Sequence, residues 1–294
     1  MDPLKINIEE WERFGGGGNG WSYYSKTDDS VVLKLNNVDI PFESTLQEFN
    51  TSRALFELGL SCPRVLDFVT DGARFGMTIE CLKDKKSYVR MIADNPQMLE
   101  PLAMEFAMRS REFHSKECDT SIFESKTERC RRAFESCDVF SQGIKDMLSS
   151  CLDSLDKVSY PVHGDFTPGN IVRSQGRDYW IDLGEFAYGD PDMDLSYLIF
   201  LAEYTPAKIV NSLFHISRKQ FSSFLEIYGR QYYGRRWHSP ELEEKIHKLM
   251  LLKAAQTIAK RPRAAILYLP FLKGQKFRFA IKLKLADIFL RTFN

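Results

Sequence analysis

A short polar segment in the middle of the chain carries the residues best suited to chemistry. It reads His163-Gly164-Asp165-Phe166-Thr167-Pro168-Gly169-Asn170, and Asp182 follows twelve residues after Asn170. Apolar β-forming residues at 171–172 and 179–181 flank a polar turn, which predicts a hairpin. A hairpin would bring Asn170 and Asp182 near each other and near Asp165. One Asn and two Asp side chains without a basic neighbour form a hard-oxygen site suited to Mg²⁺, and a magnesium ion there would carry phosphate groups.

These residues resemble the catalytic core of the aminoglycoside phosphotransferase and choline kinase family, the small-molecule branch of the protein kinase-like fold. Protein kinases carry an H-R-D-x-x-x-x-N loop followed by D-F-G. Here Asp165 and Asn170 keep the Asp-to-Asn spacing, Gly164 replaces the Arg, and Leu183 replaces the Phe. The resemblance implies that Asp165 orients or deprotonates an acceptor hydroxyl, while Asn170 and Asp182 hold Mg²⁺ against ATP.

Neighbouring residues have supporting roles in that family. The resemblance implies that His163 supports the loop backbone and that Asp194 braces the catalytic loop. Asp190 stands before Pro191 and is expected to cap a helix that runs from Asp192 to about Ala202.

A glycine-rich segment near the start of the chain, 15–20, lies between Glu9–Phe14 and the strand-like Trp21–Ser25. Glycines can take positive φ and let backbone N–H groups approach phosphate oxygens. No Lys-Ser/Thr pair follows, so the segment is not a P-loop, and no helix pattern follows at once, so it is not a dinucleotide fingerprint. We predict a strand–turn–strand lid over the nucleotide, and a flexible linker is the alternative. The predicted nucleotide-binding residues of this lid are Gly16, Gly17, Gly18, Asn19 and Gly20.

Lys34 lies inside the apolar β-run 31–35. A buried Lys is rare unless it is paired, and a helix predicted from Pro41 to Gly59 carries Glu48. In the kinase template a strand Lys contacts the α/β-phosphates and is held by a Glu on the next helix. This assigns Lys34 and Glu48 as the pair, with Glu43 as the second choice and an exposed edge strand as the alternative for Lys34.

Two more strands are predicted at Val65–Thr70 and Phe75–Glu80. The Asp71-Gly72 pair between them suits a type I′ turn. The segment from Glu80 to Leu82 would then form the hinge between two lobes. The resemblance implies that Glu80 and Leu82 bind adenine through backbone groups.

Helical spacing dominates after the hinge. Leu99–His114 has an apolar face and predicts an amphipathic helix, and Cys118–Lys157 predicts further helix. The resemblance implies an α+β, bilobal protein kinase-like fold with a small β-sheet lobe containing one helix and a larger, mainly helical C-terminal lobe. The corresponding division is a nucleotide-binding lobe at 1–80, a hinge at 81–86 and a catalytic and substrate lobe at 87–294.

Composition agrees with a globular enzyme. The 294 residues are 44% hydrophobic and 27% charged, with a formal net charge of zero, as in ordinary globular proteins. No apolar run approaches the roughly 18 residues that span a bilayer, and the acidic start lacks the features of a signal peptide. Six cysteines without CxxC pairs indicate neither a zinc site nor a disulfide framework. We expect a cytoplasmic protein without a membrane or nucleic-acid partner.

Positive charge is concentrated near the C-terminus. From Lys248 onward there are eleven Lys and Arg residues against one acid, Asp287. These cations alternate with apolar residues, as on solvated faces of packed helices. The alternative is a basic pocket for an anionic acceptor, because substrate pockets in the resembled family lie partly on C-terminal helices.

The acceptor is expected to be a small molecule. Thr167 stands where Ser/Thr protein kinases usually carry a Lys, only seven residues separate Asp182 from Asp190, and no Ala-Pro-Glu follows. We therefore predict an ATP- and Mg²⁺-dependent phosphotransferase that acts on a hydroxyl group. The alternatives are a nucleotide-binding module without catalysis and a minimal protein kinase.

Overall fold

A computed structural model of the protein describes residues 2–17, 20–205 and 207–273. Within these residues the chain divides into two compact units, 2–87 with 170–184, and 88–169 with 185–273. The segment 170–184, which the predicted division placed in the C-terminal lobe, therefore groups with the N-terminal residues. Gly18, Asn19 and the basic residues after Lys273 lie outside the described part of the chain.

Both units are built from short strands and helices of moderate length. The strands are β1 (Leu4–Lys5), β2 (Trp11–Gly17), β3 (Gly20–Ser25), β4 (Val31–Asn36), β5 (Val65–Thr70), β6 (Phe75–Glu80), β7 (Lys86–Ser87), β8 (Tyr160–Val162), β9 (Ile171–Ser174), β10 (Arg177–Trp180) and β11 (Ala187–Gly189). The helices are α1 (Phe42–Glu57), α2 (Tyr88–Asp94), α3 (Leu99–His114), α4 (Lys126–Glu135), α5 (Gln142–Asp153), α6 (Asp192–Ile199), α7 (Ala207–Phe214), α8 (Arg218–Tyr233), α9 (Pro240–Lys260) and α10 (Ala265–Leu272).

The first unit contains a six-stranded sheet in the order β1-β5-β6-β4-β3-β2. Its neighbours pair antiparallel except for the parallel pair of β1 and β5. One apolar cluster of this unit includes Leu33, Leu35 and Val69, and another joins Phe49 of α1 to Phe68 of β5. Burial of these side chains attaches the single helix of the unit to its sheet. The unit also holds a three-stranded sheet in the order β10-β9-β7.

Helix α1 ends as its sequence predicts. Gly59 takes a φ of 77°, a left-handed conformation that glycine adopts without a Cβ penalty. The N–H of Gly59 donates to the Phe56 carbonyl, and that of Leu60 donates to the Leu55 carbonyl. These two bonds form a Schellman motif, which satisfies carbonyl groups that would otherwise be left at the helix end.

The connection between β5 and β6 differs from the predicted type I′ turn. Four residues, 71–74, connect the strands, and of the Asp71-Gly72 pair only Gly72 has a positive φ, of 96°. The Asp71 carboxylate accepts hydrogen bonds from the backbone N–H groups of Ala73 (3.0 Å) and Arg74 (2.8 Å). The prediction was wrong because the Asp side chain stabilises a longer loop by this local capping.

The second unit is mainly helical. Helix α3 packs against α8, and α9 contacts α4, α5, α6 and α10. Its core includes the fully buried rings of Phe106, Phe166, Phe224 and Tyr228. Strands β8 and β11 form a two-stranded antiparallel sheet. Among the helices of the described residues, none is both long and apolar enough to cross a membrane.

The further helix predicted in Cys118–Lys157 is present as two helices, α4 and α5. The predicted start of the next helix needs a small correction. The N-cap residue of α6 is Pro191, one residue later than predicted. The Asp190 carboxylate still caps the first turn, since it accepts a hydrogen bond of 3.0 Å from the Asp192 N–H. Helix α6 continues as a π-helical turn, Phe200–Tyr204, so the predicted end near Ala202 falls within that turn.

Candidate active site

The predicted hairpin at the centre of the motif is present. Strands β9 and β10 pair antiparallel, with Ser174 opposite Arg177. The two residues between them, Gln175 and Gly176, both take positive φ values, of 48° and 78°. Two consecutive residues with positive φ form a type I′ turn, whose twist matches that of the paired strands.

At the open end of this hairpin, the backbone next to Asp182 is hydrogen-bonded to that of Asn170, so the two predicted metal ligands lie on neighbouring strand ends. Ile181, the residue before Asp182, donates its N–H to the carbonyl of Asn170 at 3.0 Å. Asp182 itself has a φ of 57°, which is uncommon for a residue other than glycine. Backbone strain of this kind costs on the order of 1–3 kcal/mol and clusters at functional sites. The strained backbone makes Asp182 a candidate functional residue.

Lys34 of β4 and Glu48 of α1 form the predicted ion pair. Lys34 Nζ lies 2.7 Å from Glu48 Oε1, and the two side chains are 31% and 21% exposed. Strand β4 lies between β3 and β6, so Lys34 is not on an edge strand. Burial lowers the pKa of Lys34, but the carboxylates of Glu48 and Asp182 outweigh that effect and raise it. The ammonium is therefore held in its charged form beside two acids.

The neighbourhood of Asp182 differs from prediction in one respect. The sequence interpretation assumed a hard-oxygen site without a basic neighbour, whereas Lys34 interacts electrostatically with Asp182. The chain that follows Asp182 also lies beside the ion pair, because a Cβ built on Gly184 would stand 3.4 Å from Glu48 Oε1. This single cluster places a cation, suited to phosphate oxygens, next to a candidate metal ligand.

The donor set of the predicted metal site suits Mg²⁺. Asn170 and Asp182 supply an amide oxygen and a carboxylate, and Mg²⁺ commonly binds one or two carboxylates together with substrate phosphates and water. Among the described residues, no group of three or more His, Cys, Asp or Glu side chains could hold a metal ion.

The two strands predicted around the glycine-rich segment are present as β2 and β3, and the turn residues Gly18 and Asn19 lie outside the described part of the chain. Gly16 of β2 pairs with Trp21 of β3, and Gly17 pairs with Gly20. A Cβ at Gly20 would lie 2.4 Å from the Leu35 carbonyl oxygen, and one at Gly16 would lie 2.3 Å from the Trp21 ring. Glycine at these two positions is thus required by close packing within the sheet.

The segment after β6 contains the predicted adenine-binding residues. The N–H groups of Glu80 and Cys81 donate to the carbonyls of Arg64 (2.9 Å) and Ser30 (2.7 Å). The side chain of Leu82 is buried. Within the residues that the structure describes, the Leu82 N–H donates to no backbone carbonyl. Among the N–H groups of Glu80, Cys81 and Leu82, that of Leu82 is therefore suited to donate to a ligand.

In the second unit, Asp194 fixes the loop that carries Asp165. Its carboxylate accepts hydrogen bonds from the backbone N–H of His163 (2.7 Å) and of Gly164 (2.8 Å), and His114 Nε2 lies 3.2 Å away. Asp194 is only 1% exposed. Burial raises the pKa of this carboxyl, but the hydrogen bond and charge of His114 and the Gly164 N–H outweigh it, and the pKa is lowered. Asp194 therefore braces the loop as an ionised group.

The loop geometry explains the glycine of the His-Gly-Asp sequence. Gly164 has a φ of 80°. A Cβ at this position would lie 2.5 Å from the Glu185 carbonyl oxygen and 2.8 Å from Lys126 Nζ. His163 accepts a hydrogen bond at Nδ1 from the Asp165 N–H at 3.3 Å, which agrees with the expected supporting role of this His.

Sequence reasoning missed a partner of Asp165. The Tyr197 hydroxyl forms a hydrogen bond with the Asp165 side chain. Burial and the Asp165 carboxylate together raise the pKa of Tyr197 well above its usual value, so Tyr197 is a hydrogen-bond donor to that carboxylate. Tyr197 stands three residues after Asp194 on α6, a spacing that puts both side chains on one helix face. That spacing was the available signal.

Sequence reasoning also did not predict that several basic side chains of the second unit lie close to one another. Lys253 of α9 donates to the carbonyl of Gly164 at 3.2 Å, and Lys126 and Lys260 pair with Glu185. The sequence interpretation favoured solvated helix faces for the C-terminal cations. The exposed Lys260 fits that interpretation, and Lys248 pairs with Glu244 of its own helix, but Lys253 lies beside the Asp165 loop.

Together these parts define a protein kinase-like fold: a glycine-rich hairpin, a strand Lys paired with a helix Glu, and an Asp loop followed by an Asp-x-Gly segment. The sequence model of the phosphotransferase enzyme family, APH, matches residues 10–242. The chain therefore belongs to that family. No curated protein matches the sequence.

Solved structures with the same fold include several antibiotic kinases. A thermostable mutant of aminoglycoside phosphotransferase APH(4)-Ia has a TM-score of 0.61 at 14% identity, covering 91% of this chain and 96% of the other. The streptomycin–ATP complex of APH(2")-IIa has a TM-score of 0.61 at 19% identity, covering 92% of each chain. Amicoumacin kinase hAmiN, in complex with AMP-PNP, Ca²⁺ and Ami, has a TM-score of 0.58 at 16% identity, covering 95% and 93%. At these identities the likeness shows the fold, which confirms the predicted α+β kinase-like architecture.

Proposed function

We propose that this protein transfers the γ-phosphate of ATP, with Mg²⁺, to a hydroxyl group of a small molecule. The observation that carries the proposal is the ion pair between Lys34 and Glu48 with Asp182 beside it. In kinase-like enzymes this arrangement holds a Lys against the α/β-phosphates. Membership in the phosphotransferase family supports the reaction class.

The nucleotide would be held by the first unit. Backbone groups of Gly16, Gly17 and Gly20 are suited to lie over the phosphates, and Gly18 and Asn19 complete the predicted lid. The Leu82 N–H and the Glu80 backbone would bind adenine. Structural neighbours crystallised with ATP or AMP-PNP support ATP as the phosphoryl donor.

Asn170 and Asp182 would hold Mg²⁺ through an amide oxygen and a carboxylate. The ion supplies positive charge that neutralises the phosphate oxygens during transfer. The neighbouring Lys34 adds a second positive charge for the same phosphates. Glu48 holds the ammonium of Lys34 in place through the 2.7 Å ion pair.

Asp165 would act on the acceptor hydroxyl. As the new bond between the acceptor oxygen and the γ-phosphorus forms, the bond from that phosphorus to the β,γ-bridging oxygen breaks, ADP leaves, and the Asp165 carboxylate accepts the hydroxyl proton. Asp194 fixes the backbone on which Asp165 is carried, and the Tyr197 hydroxyl orients its carboxylate. Positioning of this kind contributes much of the rate in phosphoryl transfer.

The short connection after Asp182 supports a small acceptor. A 3-10 turn, Leu183–Glu185, and strand β11 occupy the residues up to Gly189. This leaves no segment equivalent to the activation loop on which protein kinases bind peptide substrates.

The test is ATP consumption by the purified protein against a panel of hydroxyl-bearing metabolites and antibiotics. Asp165→Asn is the matched control, since it keeps the side-chain shape and removes the charge. Turnover that requires both an acceptor and Asp165 supports the proposal. ATP binding without turnover would support a non-catalytic nucleotide-binding module, and radiolabel transferred to protein would support a protein kinase.

A further inference from the structure

Basic side chains crowd around the loop that carries Asp165. The cluster consists of Lys126 and Arg129 from α4 and Lys253 and Lys260 from α9, and Glu185 is the acid at its centre. All five belong to the second unit. We call these residues the basic cluster.

Lys253 is the member of the cluster that interacts electrostatically with the proposed catalytic residue, Asp165. Its ammonium donates to the carbonyl of Gly164, the residue before Asp165, at 3.2 Å. It also lies 3.7 Å from the ring centre of Tyr197. Tyr197 is the residue whose hydroxyl binds the Asp165 side chain. In the described part of the chain, no carboxylate lies within ion-pairing distance of Lys253.

Another lysine of the same helix shows the contrast. Lys245, about two turns earlier on α9, pairs with Asp190 and Asp192, each at 2.7 Å, and with Asp156 at 3.4 Å. Lys245 therefore has the carboxylate partners expected of a structural lysine. Lys253 has a neutral carbonyl and an aromatic ring in their place.

Lys126 also lies beside Gly164, since a Cβ built there would stand 2.8 Å from Lys126 Nζ. Lys126 is 4% exposed, and its ammonium lies 3.8 Å from Glu185 Oε2 and 3.4 Å from the Glu185 carbonyl oxygen. A 3.8 Å ion pair is long for a buried lysine, so the ammonium is only partly compensated. Lys260 is exposed and pairs with the other oxygen of Glu185.

The cluster has more positive than negative charge. Among the described residues, Glu185 is the carboxylate next to Lys126 and Lys260, and Lys253 interacts electrostatically with Asp165 and Glu185, so three lysines share two acids. Arg129 does not improve this balance. Its carboxylate partner, Glu124, also pairs with Arg132, so those two arginines share one acid. An uncompensated cation at a half-buried position is unfavourable for folding unless a ligand compensates it.

The acidities of two lysines agree with this imbalance. Burial, reinforced by the charges of Lys126 and Lys260, lowers the pKa of Lys253 to about 8, against the opposing effect of Asp165 and Glu185. Burial likewise lowers the pKa of Lys126, although Glu185 opposes it. A bound anion would relieve this mutual repulsion.

We propose that Lys253, with Lys126 and Lys260, binds an oxyanion of the acceptor, a carboxylate or a phosphate, beside the hydroxyl that Asp165 activates. This inference rests on the proposed function, which supplies the role of Asp165. The acceptor is then a compact hydroxy acid or sugar phosphate. A polycationic aminoglycoside would be repelled at this position.

The first experiment compares acceptors that differ only in charge. Hydroxy acids are assayed against their amides and methyl esters, and sugar phosphates against the free sugars. The variants are Lys253→Met and Lys253→Arg, with Lys248→Met as control, because Lys248 is an exposed residue of α9 paired with Glu244. Comparison of the two acceptor sets distinguishes a carboxylate from a phosphate ligand.

We expect turnover with anionic acceptors and its loss when the charge is removed. Lys253→Met should raise the acceptor KM by roughly tenfold to a hundredfold, the range for one charge-assisted hydrogen bond. The ATP dissociation constant should not change, Lys253→Arg should recover most of the effect, and Lys248→Met should show none. Turnover of neutral or cationic acceptors that Lys253→Met leaves unaltered would overturn the inference while the proposed function stands.

The second experiment needs no acceptor and no turnover. Inorganic phosphate is titrated at constant ionic strength into a Lys34→Met background, which removes the cation of the proposed nucleotide site. Phosphate should raise Tm in this background, and the rise should disappear with Lys253→Met but not with Lys248→Met. An equal rise in the Lys253→Met variant, or no rise in the background, would refute an anion site at Lys253, whatever the ATP assays show.

Discussion

Replacement of Lys253 by Met should stabilise the protein, although it removes a charged residue close to the proposed catalytic Asp. The pKa of Lys253 is lowered from 10.5 to about 8. At 1.36 kcal/mol per pKa unit, this shift corresponds to about 3 kcal/mol of unfavourable free energy for the charged form below pH 8. Loss of the bond to Gly164 and of the contact with Tyr197 offsets part of this gain. We expect a net stabilisation of about 1–2 kcal/mol near pH 7.

The pH dependence has a definite sign. Below pH 8 both the folded and the unfolded chain carry a protonated Lys253, so the unfavourable term is fully present. Between pH 8 and about 10.5 the unfolded chain binds more protons than the folded chain, and the free energy of unfolding of the wild type rises with pH. The advantage of Lys253→Met should therefore be largest near pH 7 and shrink toward pH 10.

Lys245→Met on the same helix provides the matched comparison. It leaves Asp190 and Asp192 buried without their cation, and removal of one partner of a buried pair costs about 3–5 kcal/mol. Urea unfolding of both variants at pH 7 and pH 9.5 measures the two effects. If Lys253→Met were as destabilising as Lys245→Met, Lys253 would be a structural ion-pair residue, and the argument for an anion site would lose its basis.

Four further substitutions test the candidate active site. Asp165→Asn should lower kcat by roughly 10²–10⁴-fold while the ATP dissociation constant stays nearly constant; near wild-type turnover would remove Asp165 from the catalytic site. Asp182→Ala should weaken Mg²⁺-dependent ATP binding in calorimetry while circular dichroism shows an intact fold, and unchanged binding would refute the metal assignment. Lys34→Ala should weaken ATP binding as well as turnover, in contrast to Asp165→Asn, and an effect on kcat alone would contradict its phosphate role. Asp194→Asn should destabilise the protein by about 2–4 kcal/mol, because it removes the charge from a buried, hydrogen-bonded carboxylate; equal unfolding midpoints for variant and wild type would show that the brace is dispensable.

Several local elements were predictable from sequence with near-correct limits. Strands β5 and β6 and helix α3 have the predicted bounds. The β9–β10 hairpin and the glycine that terminates α1, Gly59, were also predicted. These features depend on residues only a few positions apart, through alternating apolar side chains, helical spacing and glycine at positive φ. The partner of Lys34 could be chosen because β4 and α1 follow each other in the chain and the family template names the Glu.

Other features were decided only by tertiary packing. His114 and Asp194 are 80 residues apart in sequence, and Lys253 is 89 residues from Gly164. No periodicity in the sequence distinguishes Lys253 from Lys248, yet packing places Lys253 beside the Asp165 loop and leaves Lys248 paired with Glu244 of its own helix. The sequence gives the type of each ionisable residue. Its neighbours and its solvation depend on the assembled fold, and these set its pKa and its capacity to bind a ligand. For this protein the sequence predicted the reaction class that we propose and left two interpretations of the C-terminal cations open, and only the tertiary structure placed Lys253 beside the Asp165 loop.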